Sequence, residues 1–141
     1  ALSRGAKEAT LVDASKQGNI IMQRNVAHTG FLPQADVVKS KVEDFIQKYK
    51  DSDKTWDIIF MDPPYKLYNT KRVEKMERII NDASSLLPGV KNPKTKKFKG
   101  AFIIKHPKRY PIDKLDLKHI KKVDTYEFGL NSISLFIVKS K

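Results

Sequence analysis

The chain has 141 residues, 40% of them hydrophobic, and a net charge of +12. That is enough for one domain with a real core. No apolar run approaches membrane-spanning length, no secretory signal opens the sequence, and the absence of cysteine excludes disulfides and thiolate metal sites. His28, His106 and His119 lie far apart without ligand spacing, so they are expected at the surface or in packing, with no metal role.

Ala1 to Arg4 has the pattern of a last helical turn, with Gly5 as its C-cap. Ala9-Thr10-Leu11-Val12-Asp13 is a predicted strand; an acidic residue at a strand end suits a ribose, since a carboxylate accepts from both hydroxyls, or it shares the N-cap of the next helix with Ser15. Lys16 to about His28 is predicted to be that helix, ending near Gly30. Asp36 to Lys39 is a short strand. Ser40-Lys41-Val42-Glu43 has the form of a capping box, and Val42, Phe45, Ile46 and Tyr49 continue at helical spacing.

Asp57 to Tyr65 organises the rest. Ile58 to Met61 is an unbroken apolar run, the pattern of a parallel strand buried on both faces. Pro63 and Pro64 stop it, having no N–H for a ladder, and each holds the residue before it extended. The Asp62 carboxylate and Pro63 carbonyl are thereby fixed as two acceptors, with the flat ring of Tyr65 beside them. This is a shelf at the carboxyl end of a strand, where open α/β sheets bind ligands. A nucleobase amino group, with two N–H donors and a π-face, matches it.

Lys66 to Asn69 is expected to be a mobile loop over this site. Thr70 to Leu87 reads as a helix with the stripe Val73, Met76, Ile79, Ile80, Ala83 and Leu87, ended by Pro88-Gly89. Val90 to Lys99 is a basic connection, Ala101 to Ile104 a buried strand, and Pro107 to Leu117 irregular. Ile120 to Phe128 and Ser132 to Val138 are two strands joined by a short turn, which requires an antiparallel pair. Charge is concentrated here: residues 91–122 hold 12 Lys/Arg against 2 Asp/Glu, while the other 109 residues contribute only +2. Such a patch is the footprint of a polyanion, and Lys91, Lys94, Lys96, Lys97 and Arg109 are the candidate contacts to its backbone phosphates.

Asp62-Pro63-Pro64-Tyr65 after an apolar strand resembles the (Asp/Asn)-Pro-Pro-Tyr motif of amino-group methyltransferases that use S-adenosylmethionine. Together with Ala1-Leu2-Ser3-Arg4-Gly5-Ala6, Ala9 to Asp13 and Tyr126 to Leu135, it gives a similarity to the RsmD family over nearly the whole chain. That family methylates N2 of a guanine in 16S ribosomal RNA. The resemblance implies a Rossmann-like class I α/β fold: a mostly parallel sheet of order 3-2-1-4-5-7-6, helices on both faces, and an antiparallel C-terminal hairpin. It implies catalytic roles for Asp62, Pro63, Pro64 and Tyr65, and S-adenosylmethionine as cofactor. Asp13 and Ala14 are placed at its ribose; Asp62 also borders it. Related enzymes often carry Asp after the second of the strands present here to bind the adenine amino group. This sequence has Ser40-Lys41 there, leaving Ser40, Lys41 or the backbone near Val42 for that contact. The first strand and Gly-rich loop of the family are not found, and no G-x-G-x-x-G occurs, so the chain reads as a single, N-terminally truncated methyltransferase domain. The expected partner is 16S RNA or the small ribosomal subunit, for a cytoplasmic monomer. The alternatives are an adenine-N6 DNA methyltransferase and a non-catalytic RNA-binding fragment.

Overall fold

The structure is a computed structural model that describes residues 1–95 and 97–140. The chain divides into two compact units, Ala1–Lys48 and Tyr49–Lys141.

In the first unit, β1 (Ala9–Asp13) and β2 (Ala35–Lys39) pair in parallel, from Ala9↔Ala35 to Asp13↔Lys39. A parallel pair needs a crossover, and α1 (Lys16–His28) supplies it. Ser15 caps α1 by accepting from Gly18 N at 2.8 Å. At the next helix the first helical bond falls one residue later than the expected Ser40 cap. The helix α2 (Val42–Lys50) takes its first bond from Phe45 N to Lys41 O, which makes Lys41 the capping position; the Ser40 hydroxyl instead donates to Lys41 O at 2.9 Å.

The second unit is a four-stranded sheet of order β3-β4-β6-β5, comprising β3 (Ile58–Met61), β4 (Ala101–Pro107), β5 (Ile120–Phe128) and β6 (Asn131–Val138). The β3–β4 pair is parallel; β6 lies antiparallel to both β4 and β5. This is the 4-5-7-6 portion of the expected order, with its reversed strand in place. Helix α3 (Val73–Ser84) buries Met76, Ile79, Ile80 and Ala83, as its 3.6-residue stripe requires. Met76, Ile79 and Ile80 each contribute roughly 1.5–3 kcal/mol, more than any surface ion pair. A 3₁₀ turn (Thr70–Arg72) replaces the start of the predicted helix, and α4 (Pro88–Lys91) follows it, with proline at the first turn where its missing N–H costs nothing.

Burial across this sheet alternates. Phe102, Ile104, His106, Ser132, Ser134 and Phe136 are buried, with Phe102 and Phe136 edge to face at 6.5 Å. The opposite face is open: Ile58 is 59% exposed, Phe60 58% and Ile137 37%. Ile58 to Met61 is therefore not buried on both faces: β3 is an edge strand of this sheet, and its Ile58 and Phe60 side chains lie on the exposed face. In β6 the serines, not the isoleucines, face the core. They are tolerated because Ser134 Oγ is satisfied by His106 Nε2 (2.8 Å) and Thr125 Oγ1 (3.1 Å).

Candidate active site

Pairing of β3 with β4 stops at Met61↔Ile104, where the prolines begin. The Asp62 side chain is 52% exposed, and its Oδ2 lies 3.6 Å from Lys105 Nζ on the neighbouring strand. Among the described residues, no backbone N–H donates to Pro63 O, which leaves that acceptor open. Tyr65 begins a 3₁₀ turn (Tyr65–Tyr68) closed by Leu67 N donating to Pro64 O. Its ring is exposed, yet it is not adrift: the hydroxyl donates to Asn131 Oδ1 at 2.9 Å.

The segment expected as a mobile loop is thus a tethered turn. The Tyr68 hydroxyl donates to Lys105 O, and its ring packs edge-on against Tyr110 at 4.9 Å. Burial, then the nearby Asp62 carboxylate, hold the Tyr68 hydroxyl well above the usual phenol range, so it remains a donor.

In the first unit, Asp13, Ala14, Ser40, Lys41 and Val42 collect at the carboxyl ends of β1 and β2. Ser40 N donates to Asp13 O, tying the two ends together. Asp13 Oδ1 accepts from Ser15 N at 2.6 Å. The buried Asn19, one turn into α1, braces the corner by donating to Asp13 O (2.7 Å) and Ser15 O (2.9 Å). Gly18 makes room: a Cβ there would sit 2.6 Å from Ser15 Oγ and 3.0 Å from the Asp13 carboxylate. The corner is a cradle kept clear of side chains around a fixed carboxylate, which fits a ribose diol. Asn19 could be read from its spacing of four from Ser15 on one helix face; Lys105 and Asn131 carried no local signal.

The basic residues divide. Lys94, Lys97 and Arg109 are exposed. The Lys91 ammonium is turned inward, donating to Tyr49 O at 2.8 Å and to Ser52 O. Lys96 lies outside the described residues.

Residues 1–136 match the family described as Conserved hypothetical protein 95. The chain belongs to that family. A curated relative, the ribosomal RNA large subunit methyltransferase I of Klebsiella pneumoniae, is 31% identical over 94 residues, 66% of this chain and 24% of the relative. The chain therefore spans about a quarter of that protein. Among solved structures, a conserved hypothetical protein of Streptococcus pyogenes superposes with TM-score 0.75 at 18% identity, over 99% of this chain and 76% of its own. SMU.776, a candidate methyltransferase complexed with SAH, superposes with TM-score 0.70 at 15% identity, over 95% and 40%. This member of the Conserved hypothetical protein 95 family has the Rossmann-like class I methyltransferase fold.

Proposed function

We propose that the protein methylates an exocyclic base amino group in ribosomal RNA, using S-adenosylmethionine, and that the target is N2 of a guanine in the small-subunit RNA. One observation carries the reading: Asp62, Pro63 O and the Tyr65 ring stand open together at the end of β3, two acceptors beside a stacking surface. The family match and the relative's name support methylation of ribosomal RNA.

S-adenosylmethionine, when bound, supplies an electrophilic methyl group on a sulfonium. Asp13 would accept from its ribose hydroxyls with Ala14 beside them, and Ser40, Lys41 or Val42 would meet its adenine. On the base side, Asp62 and Pro63 O accept the two N–H bonds of the amino group. These bonds favour a pyramidal nitrogen, whose lone pair is otherwise delocalised into the ring. The methylated amine is acidic and loses its proton to Asp62 or water, so no strong base is required. Pro64 stiffens the corner, and Tyr65 stacks on the unstacked base, offsetting ~1–3 kcal/mol of its extrusion cost. Positioning of this kind gives up to ~7–11 kcal/mol of acceleration.

The large-subunit RNA is the second reading, favoured by the relative's name. Labelled S-adenosylmethionine offered with 16S RNA, small subunits, large subunits and duplex DNA separates them. Label recovered as N2-methylguanosine from 16S RNA or small subunits is the expected result. Label confined to large subunits moves the target to the second reading, and label on DNA alone rejects both.

A further inference from the structure

We propose that Lys105 is a specificity-determining residue, whose ammonium reads the acceptor of a guanine beside the donors read by Asp62. The inference rests on the amino-group methylation proposed for the shelf. Because β3 and β4 run parallel with Met61 opposite Ile104, the next residues, Asp62 just past the end of β3 and Lys105 still within β4, lie side by side. Their charged atoms are 3.6 Å apart, longer than a hydrogen bond, so the ammonium is held close to the carboxylate with donors to spare. The Lys105 backbone is fixed from two directions, by the Tyr68 hydroxyl on its carbonyl and by pairing with Ile133 of β6. The Lys105 side chain remains a third exposed, beside the half-exposed Asp62.

The pairing edge of guanine presents, in order, the N2 amino donors, the N1–H donor and the O6 acceptor. A carboxylate flanked by an ammonium offers acceptor, acceptor, donor, the order that cytosine presents to guanine in a duplex. Adenine in the same pose sets the bare N1 acceptor against a carboxylate oxygen and gives the amino group of Lys105 no carbonyl. Lys105 thus adds a third point of discrimination, the O6 acceptor, to the two donors that Asp62 reads.

2-Aminopurine keeps the 2-amino nucleophile and lacks both O6 and the N1 proton; the loss at N1 is common to wild type and variant, so the Lys105 contact is read from the change in guanine preference between them. Ribosomal RNA carrying guanine or 2-aminopurine at the labelled position is offered to the wild-type protein and to Lys105→Met, and kcat/KM is compared. The wild type prefers guanine. In Lys105→Met that preference falls by about 10–100-fold, the worth of a hydrogen bond to a charged group, and Lys105→Arg retains it. A purely structural role lowers both substrates alike and leaves the ratio unchanged. If Lys105→Met loses its circular dichroism signal, Lys105→Leu, equally without a donor, takes its place at this partly exposed position. An unchanged guanine preference in the donor-less variant overturns the role of Lys105 alone and leaves the methylation reading standing. Label on no guanine, even with the wild type, overturns that reading and this inference together.

Discussion

Asp62 is held by its backbone and used through its side chain. Proline on its carboxyl side fixes it, while half of the side chain stays in solvent with, among the described residues, a long ion pair to Lys105. Asp62→Ala therefore costs little folding energy, since exposed pairs contribute 0–1 kcal/mol. It removes an acceptor aimed at the reacting nitrogen, for which a loss of about 10²–10³-fold in kcat is expected. Circular dichroism with single-turnover rates checks both halves, and retained transfer in the folded variant removes the mechanism. Tyr65 and Asn131 form a second residue-scale unit. Their 2.9 Å bond orients the ring that stacks on the base. Tyr65→Phe and Asn131→Ala each delete the same bond, worth ~0.5–1.5 kcal/mol, so each raises KM by about 2–10-fold. The double variant is no worse than either single one; additive effects show that the bond has no role in stacking.

At the scale of elements, the strands and the shelf were largely legible, because what makes them is local. Ala9–Asp13 and Ser132 to Val138 are apolar or alternating runs bounded by polar or turn residues, and Pro63-Pro64 can only end a strand. What was illegible depends on pairing. Asn131 meets Tyr65 across 66 positions, and Lys105 meets Asp62 across 43, through sheet order that no periodicity encodes. Hydropathy gave no warning that Ser132 and Ser134 face the core, since a hydroxyl with partners there has no large burial cost. The basic connection looked shapeless because its closure is also non-local. Gly89 N donates to Lys99 O at 2.8 Å, pinching residues 90–99 at their base. A Cβ on Gly89 would meet Lys99 Cβ at 2.6 Å and its carbonyl oxygen at 2.8 Å, backbone that cannot rotate aside. Gly89→Ala is expected to destabilise by ~1–3 kcal/mol, as overpacking does. Chemical denaturation measures this, and an unchanged midpoint shows that the pinch is absent in solution.

For the whole molecule the decisive quantity is charge. A net +12, drawn mostly from residues 91–122, acts on a polyanion at long range and carries no sequence information. The geometry divides these lysines into two kinds with opposite signatures. Lys94 and Lys97 project from the pinched loop and are free to meet phosphates, and Lys96 between them belongs to the same proposed patch. Neutralising these three to glutamine releases about three counterions fewer on binding. The slope of log K against log salt for single-stranded RNA is then expected to flatten by about 2. Lys91 is the internal control. Its ammonium already serves two carbonyls of residues 49–52, so Lys91→Gln leaves those acceptors without a charged donor and lowers thermal stability. Its salt slope stays at the wild-type value. Filter binding across a salt series, paired with thermal unfolding of the same variants, separates the two kinds. A wild-type slope in the triple variant removes the loop from the RNA interface, and a flattened slope in Lys91→Gln means that its side chain turns outward to the RNA.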